Sequence, residues 1–377
     1  MTMTIKYELK EYKSILNKYK FIDGWFWCRY SINCYGGCEH ACTYCDSRSH
    51  KYHFHPEFDH VIYVKKDIGE TLAKRLSRAR TLLPDVVALS GATDPYQPAE
   101  NKYKNTRQVL EVLAKHEYPV FIATKSTLVT RDIDILSEIA ESSAATVSIT
   151  ITCTDRELTS FLEPAAPSPK QRFAAISQLK KKAKALQVGV LLIPIVPFLT
   201  DSDDQLEDMV KRTQEAGADF LLFGGGMTMR DNQADWFLRQ LKERYPDLIE
   251  KYLQIYEAEW TQDRGYKGRY APKSQYVKEI DQKMYTLINK SRISCRLKRF
   301  IPLDFRRENY IIAEEFINES YFRQAFNLPW KNIFWAGQNI NNLKESIKDV
   351  ARRGELQKIR NIDGELEKRI IARLNEL

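Results

Sequence analysis

Between about residues 20 and 245 the chain alternates short apolar runs with amphipathic stretches six times over, and no other feature narrows its fold so far. The strand candidates are Trp27–Asn33, Asp85–Ser90, Pro119–Thr124, Ala145–Thr152, Gly189–Ile195 and Asp219–Phe223. Helical periodicity marks Gly69–Arg80, Thr106–Lys115, Arg131–Ser142, Pro169–Leu186 and Gln205–Ala216, with Leu72, Leu76 and Ala79 sharing one face of the first. Strand, helix, strand alternation implies a mostly parallel sheet with helices outside it. The expected fold class is α/β: a partial (β/α)6 TIM-type barrel over residues 25–250, two units short of a complete barrel, followed by a small all-α C-terminal domain. Chemistry in such a fold gathers at the C-terminal ends of the strands. Residues 1–24 are expected to form a helical lead-in, 251–305 a basic and aromatic connecting segment, and 306–377 the helical domain.

Composition excludes several classes. Charged residues make up 29% of the 377 and hydrophobic residues 43%, as in ordinary globular proteins. No apolar run approaches the roughly 18–20 residues of a membrane span, and the N-terminal stretch is charged throughout, so a cytoplasmic protein is expected. The net charge of +8 favours polyanions without selecting one. Five of the seven cysteines (28, 34, 38, 42 and 45) crowd into one short stretch, with Cys153 and Cys295 far off. In a chain of this size and compartment, such crowding points to metal binding or catalysis rather than disulfides.

Within that stretch, Cys34-Tyr-Gly-Gly-Cys38-Glu-His-Ala-Cys42-Thr-Tyr44-Cys45 contains one C-x3-C-x2-C spacing, at Cys38, Cys42 and Cys45. Converging thiolates on a loop are what an iron–sulfur cluster needs, and three of them leave one iron open to a non-protein ligand. A structural zinc site using Cys34 as a fourth ligand is the alternative. His53 and His55, just beyond, read as loop histidines rather than ligands.

The motif, its place after the first strand and the aromatic Tyr44 resemble the radical S-adenosylmethionine superfamily. That resemblance implies a [4Fe–4S] cluster on Cys38, Cys42 and Cys45, with S-adenosyl-L-methionine on the open iron. It also implies a 5′-deoxyadenosyl radical and a reductant protein such as flavodoxin or ferredoxin. Leu89-Ser-Gly-Ala-Thr-Asp-Pro-Tyr-Gln-Pro98, Ala123-Thr-Lys-Ser126 and Val147-Ser-Ile-Thr are similar to the spore photoproduct lyase family over roughly residues 25–250. By that likeness Thr93, Lys125, Ser148 and Ser90 bind the cofactor, Lys125 as a cation for a carboxylate and the others as hydroxyls. Two positions depart from the lyase: Gly91 stands where it has a hydrogen-donating cysteine, and Asp46 replaces the tyrosine after the third cluster cysteine. Tyr44 is retained as a catalytic candidate. Cys153 is a candidate substitute donor, although strand alternation turns it away from Ser148, Thr150 and Thr152 and toward a buried, inert role.

Near the C-terminus, Leu356, Ile359, Ile362, Leu366, Ile370 and Leu374 form an apolar seam across two short helices with Asn361–Gly364 as the turn. This is similar to the helix-hairpin-helix module of X-family DNA polymerases, completed by helices over Glu308–Phe326 and Asn339–Arg353. The module implies DNA phosphate held by hairpin N–H groups, with Lys358, Arg360, Lys368, Arg369 and Arg373 adding charge. A purely structural bundle is the alternative reading. The expected function is a monomeric radical enzyme acting on damaged or modified DNA, with the segment 257–300 supporting a flipped base. Modification of RNA or a small molecule, and a non-catalytic metal-containing nucleic-acid-binding protein, are the alternatives.

Overall fold

The computed structural model describes residues 4–79, 81–89, 91–291 and 293–377. The chain divides into two compact units, one of residues up to Asn17 with Tyr30–Leu297, the other of Lys18–Arg29 with Lys298–Leu377.

The first unit is built on six strands: β1 (Tyr30–Ile32), β2 (Val87–Leu89), β3 (Val120–Thr124), β4 (Ala145–Thr150), β5 (Gln187–Ile195) and β6 (Phe220–Gly225). Each lies parallel to the next, in chain order. Helices cross between them, among them Ile68–Ser77, Asn105–Lys115, Ile133–Ser142, Pro169–Lys182 and Asp203–Glu215. The apolar residues of β4 show the logic: Val147 and Ile149 pack with helix residues Leu136, Ile139 and Ile176, all fully or nearly buried. Covering each such side chain contributes about 1.5–3 kcal/mol. Thr146, Ser148 and Thr150 take the opposite face, as period-two geometry requires. Where β5 and β6 pair at Gly189 and Phe220, a Cβ on Gly189 would lie 2.5 Å from the phenyl ring, so only glycine allows the strands to meet there.

Two expectations are corrected in this unit. The N-terminal lead-in is not helical: Lys6–Lys10 is a strand, parallel to Val61–Lys65, which also pairs antiparallel with Tyr35–Gly36. The supposed connector 251–305 is no linker. It holds a hairpin, Glu259–Thr261 with Gly265–Lys267, and the helix Ser274–Ser291, whose Ile280, Met284 and Ile288 enter the main core. A further helix, Asp231–Arg244, follows β6 and anchors a second core with Phe237, Leu238, Tyr252 and Tyr256.

The second unit is helical: Arg307–Ala325, Lys331–Asn341, Ile347–Arg352 and Gly364–Glu376. The predicted seam is its core, with Leu356, Ile359, Ile362, Leu366 and Ile370 packed on Ile312, Phe316, Ile333 and Ile340. The expected helix Asn339–Arg353 is instead the end of one helix and the whole of another, because the Ser346 side chain accepts from Lys348 N and starts a new N-terminus. The first helix of the hairpin is reduced to a single turn, Leu356–Lys358. Residues 18–29 also belong here: Ile22 and Trp27 are buried, Gln338 Nε2 donates to Ile22 O (2.9 Å), and Arg29 Nη1 donates to Asn342 Oδ1 (3.0 Å).

Candidate active site

The cysteine loop leaves β1 and turns at Gly37, whose φ of +84° suits glycine. A Cβ there would meet Phe58 O at 2.7 Å and Val61 O at 2.8 Å. Cys38 N then donates to Phe58 O (3.0 Å) and Cys45 N to Cys42 O (3.3 Å), which coils the loop so that Cys38, Cys42 and Cys45 all line one cavity of about 410 Å³. The opposing wall comes from the C-terminal ends of the strands: Thr93 and Asp94 after β2, Thr124 and Lys125 at β3, Thr150 at β4, and Met227 and Thr228 beyond β6.

Burial raises the thiols. Cys42 is pushed up to about 12, against the pull of Lys125, and Cys38 also rises well above the ordinary cysteine value. Such thiols ionise only when a cationic centre holds them. Lys125 would be lowered by its own burial, but its electrostatic coupling to Cys42 and to the Glu163 carboxylate raises it, so its ammonium stays charged. Its Nζ lies 5.5 Å from the Tyr44 ring centroid, and its backbone N–H donates to Asp94 Oδ2 (2.7 Å). Burial opposes ionisation of Asp94 too, yet His40 Nε2 at 3.3 Å, the Thr124 hydroxyl at 2.6 Å and that same N–H hold it down to about 2.

The other expected site residues are placed unevenly. Thr93 lines the cavity and donates its hydroxyl to Tyr35 O (3.1 Å). Ser148 is fully buried with its Oγ unpartnered among the described residues, but it does not line the cavity; Thr150, two residues along on the same face, does. Ser90 lies outside the described residues. Tyr44 lines the cavity and donates to Glu163 Oε1. Cys153 does not line it: its Sγ sits 3.0 Å from Thr159 Oγ1 in the second core, and burial lifts the thiol to about 12. Cys34, the fourth ligand of the zinc alternative, is buried in the main core and absent from the cavity wall. Asp46 accepts from Thr228 Oγ1 (2.8 Å), Tyr52 OH (2.8 Å) and Arg230. Sequence reasoning missed His40, Asp94 and Glu163, of which only Asp94, beside Thr93, had a local signal.

In the helical unit the basic residues are largely engaged. Lys358 pairs with Glu355 (2.7 Å), Arg369 with Glu319 (2.5 Å) and Arg373 with Glu315 (2.7 Å), whereas Arg360 and Lys368 are exposed. Asp363 Oδ1 accepts from Glu365 N (3.1 Å) and Leu366 N (2.9 Å), so the hairpin's own carboxylate occupies N–H groups that a phosphate would need. Among the described residues no helix is long and apolar enough to cross a membrane.

Comparison with known proteins agrees with this architecture. The Radical SAM superfamily profile matches residues 32–212. Uncharacterized protein Rv2578c of Mycobacterium tuberculosis (strain ATCC 25618 / H37Rv) is 32% identical over 270 residues, which cover 71% of this chain and 75% of that protein. The Radical SAM Nalpha-GlyT isomerase of Pseudomonas phage M6 is 28% identical over 144 residues, 38% of this chain and 28% of that one. A spore photoproduct lyase structure shares the fold at a TM-score of 0.54 and 17% identity, covering 70% of this chain and 74% of that one. Parallel strands in chain order, three cysteines converging at their C-terminal ends, the matched profile and a relative at this identity give one assignment: the chain belongs to the radical SAM superfamily.

Proposed function

We propose that this protein is a radical SAM enzyme of the spore photoproduct lyase-like group, acting on damaged or modified nucleic acid, DNA first. Its cofactors are a [4Fe–4S] cluster and S-adenosyl-L-methionine. The observation that carries the reading is the convergence of Cys38, Cys42, Cys45 and the Lys125 ammonium on one cavity. The donor set fits the cluster. Its buried thiols need cationic partners, and among the described residues no three Cys, His, Asp or Glu side chains come together as ligands of one metal ion. Cys34, the fourth ligand of the zinc alternative, lies in the main core off the cavity wall, which speaks against that alternative. Six parallel strands in chain order support a partial (β/α)6 barrel.

Cluster and S-adenosylmethionine together supply a carbon-centred radical able to abstract a hydrogen atom. The residues of this chain do the rest. Lys125 holds the cofactor carboxylate, and Thr93, Thr150, Ser148 and Ser90 are its candidate hydroxyl partners. Asp94, kept ionised by His40, orients the Lys125 backbone. Tyr44 presents its ring to the cavity while its hydroxyl is held by Glu163, which suits it to orienting the bound groups. Cys153, off the cavity, is left as the weaker catalytic candidate. A flavodoxin or ferredoxin supplies the electron.

For the substrate, the lyase-like fold and the +8 charge support nucleic acid, with exposed Arg360 and Lys368 as phosphate contacts. A second reading, RNA or a small molecule, is favoured by two observations: a cavity of about 410 Å³ is of small-ligand size, and the hairpin N–H groups, Arg369 and Arg373 are internally satisfied. The test is anaerobic: after loading with iron and sulfide, the protein given dithionite and S-adenosylmethionine should release 5′-deoxyadenosine. A protein that holds iron but releases none is the non-catalytic alternative. Nucleoside mass spectrometry of cells with and without the protein then separates DNA, RNA and small-molecule substrates.

A further inference from the structure

We propose that Glu163 is a positioning residue that fixes the cysteine loop and sets, by its charge, how readily the site there accepts an electron. The inference rests on the radical SAM reading above. The turn 162–165, directly after the helix Arg156–Leu162, is where the loop is held. Thr43 N donates to Leu162 O (2.9 Å), Tyr44 OH donates to Glu163 Oε1, and His40 Nδ1 lies 3.4 Å from Ala165 O. Three residues between the cysteines, His40, Thr43 and Tyr44, are thus pinned to one four-residue template, and Glu163 is its one charged side chain.

That carboxylate is wholly buried and is claimed by three elements at once. Tyr44 comes from the loop and Thr152 Oγ1 from the end of β4 (3.0 Å). Arg172 Nη1, from the helix Pro169–Lys182, pairs with Oε2 at 2.5 Å. Arg172, equally buried, also donates to Thr150 O (2.9 Å) and Pro167 O (2.7 Å), so it cannot swing away. Burial disfavours the Glu163 anion, but Arg172 and Lys125 outweigh that and keep it ionised. A buried carboxylate of this kind is not needed merely to accept two hydroxyls, since an amide oxygen would serve. What it adds is a fixed negative charge that acts on Cys42, opposed by the positive charges of Lys125 and Arg172. In a poorly screened interior such charges bear strongly on any group that gains an electron.

The test is the reduction potential of the iron–sulfur centre, measured by a dithionite titration followed by electron paramagnetic resonance, without S-adenosylmethionine. Glu163→Gln keeps shape and acceptor but removes the charge. It should retain the iron content of the unaltered protein and shift the midpoint to a more positive value. The same step read in an Arg172→Lys background, which keeps a counter-charge for the carboxylate, should shift it in the same direction, which covers the case where the single variant does not fold. A potential unmoved in both backgrounds overturns the proposal, as does a folded Glu163→Gln protein that no longer takes up iron. An unaltered protein without iron refutes the cofactor reading itself; an unaltered protein with iron and an immobile potential refutes only the role of Glu163.

Discussion

Replacing Lys125 with methionine is the sharpest probe of the cavity. The thioether side chain has about the length and volume of the lysine stem, so the change removes charge and donors with little loss of packing. The backbone N–H of residue 125 still reaches Asp94 Oδ2, so the β3 end and the Asp94 orientation should persist. What disappears is a charge-assisted hydrogen bond to the cofactor carboxylate, a kind of contact worth about 1.5–3 kcal/mol. At about 1.4 kcal/mol per decade, affinity for S-adenosylmethionine should fall by roughly ten- to 150-fold. Negative neighbours hold the Lys125 ammonium charged well above neutrality, so the binding of the unaltered protein should show no lysine titration between about pH 6 and 9. Equilibrium dialysis of the cluster-loaded protein under anaerobic conditions measures both quantities, with iron content as the control. Equal affinity of Lys125→Met and the unaltered protein, at equal iron content, would remove Lys125 from the site.

Alanine at Cys38, Cys42 or Cys45 should each abolish brown colour and bound iron, whereas Cys34→Ala, in the main core, should leave both intact; absorbance and iron assay decide. Asp281 is buried against Gly225 and its carboxyl is raised to about 6, so the folded state binds its proton more tightly than the unfolded one. Its contribution is lost as pH rises from about 4 to 6, and Asp281→Asn should stabilise the first unit above pH 6 by on the order of 2 kcal/mol while changing little at pH 4, as urea titrations at the two pH values would reveal. Ile370→Ala opens a void in the helical core and should cost about 2–5 kcal/mol in thermal or chemical denaturation. If that unit grips nucleic acid, the double change Arg360→Ala and Lys368→Ala should weaken duplex binding and flatten its salt slope. Arg373→Ala, already paired with Glu315, should affect affinity less; equal losses would contradict the ion-pair argument.

The sheet was legible because strands buried on both faces read as continuous apolar runs, and each is bounded by turn residues. The cysteine spacing was legible for a similar reason: its meaning is local. The strand Lys6–Lys10 was misread because Lys-Tyr-Glu-Leu-Lys carries no clear period of its own and gains its structure from Val61–Lys65, far along the chain. Likewise the segment after residue 257 read as a basic and aromatic connector, yet Trp260 and Tyr266 face each other across a hairpin and pack on the second core. In the helical domain the seam was read correctly, but the Ser346 cap that splits the helix was passed over. Glu163 could not have been found at all. Tyr44 meets it across 119 residues of chain, and nothing near Leu162 in sequence announces a carboxylate that the cysteine loop will need.

The membership of residues 18–29 in the second unit carries a consequence for how the protein is made. Their partners, Lys298–Leu377, leave the ribosome about 270 residues later. At synthesis rates of about 5–20 residues per second, that delay is roughly 14–54 s. For that time Ile22 and Trp27, both almost wholly covered in the finished protein, lack Gln338, which donates to Ile22 O, and Arg299, whose guanidinium lies over the Trp27 ring. The second unit therefore cannot fold in the order of synthesis, first piece first. Its opening strip must wait, apolar and exposed, for Lys298–Leu377 to emerge. Proteolytic loss of the tail after synthesis would, by the same closure, strand a segment at the opposite end of the chain.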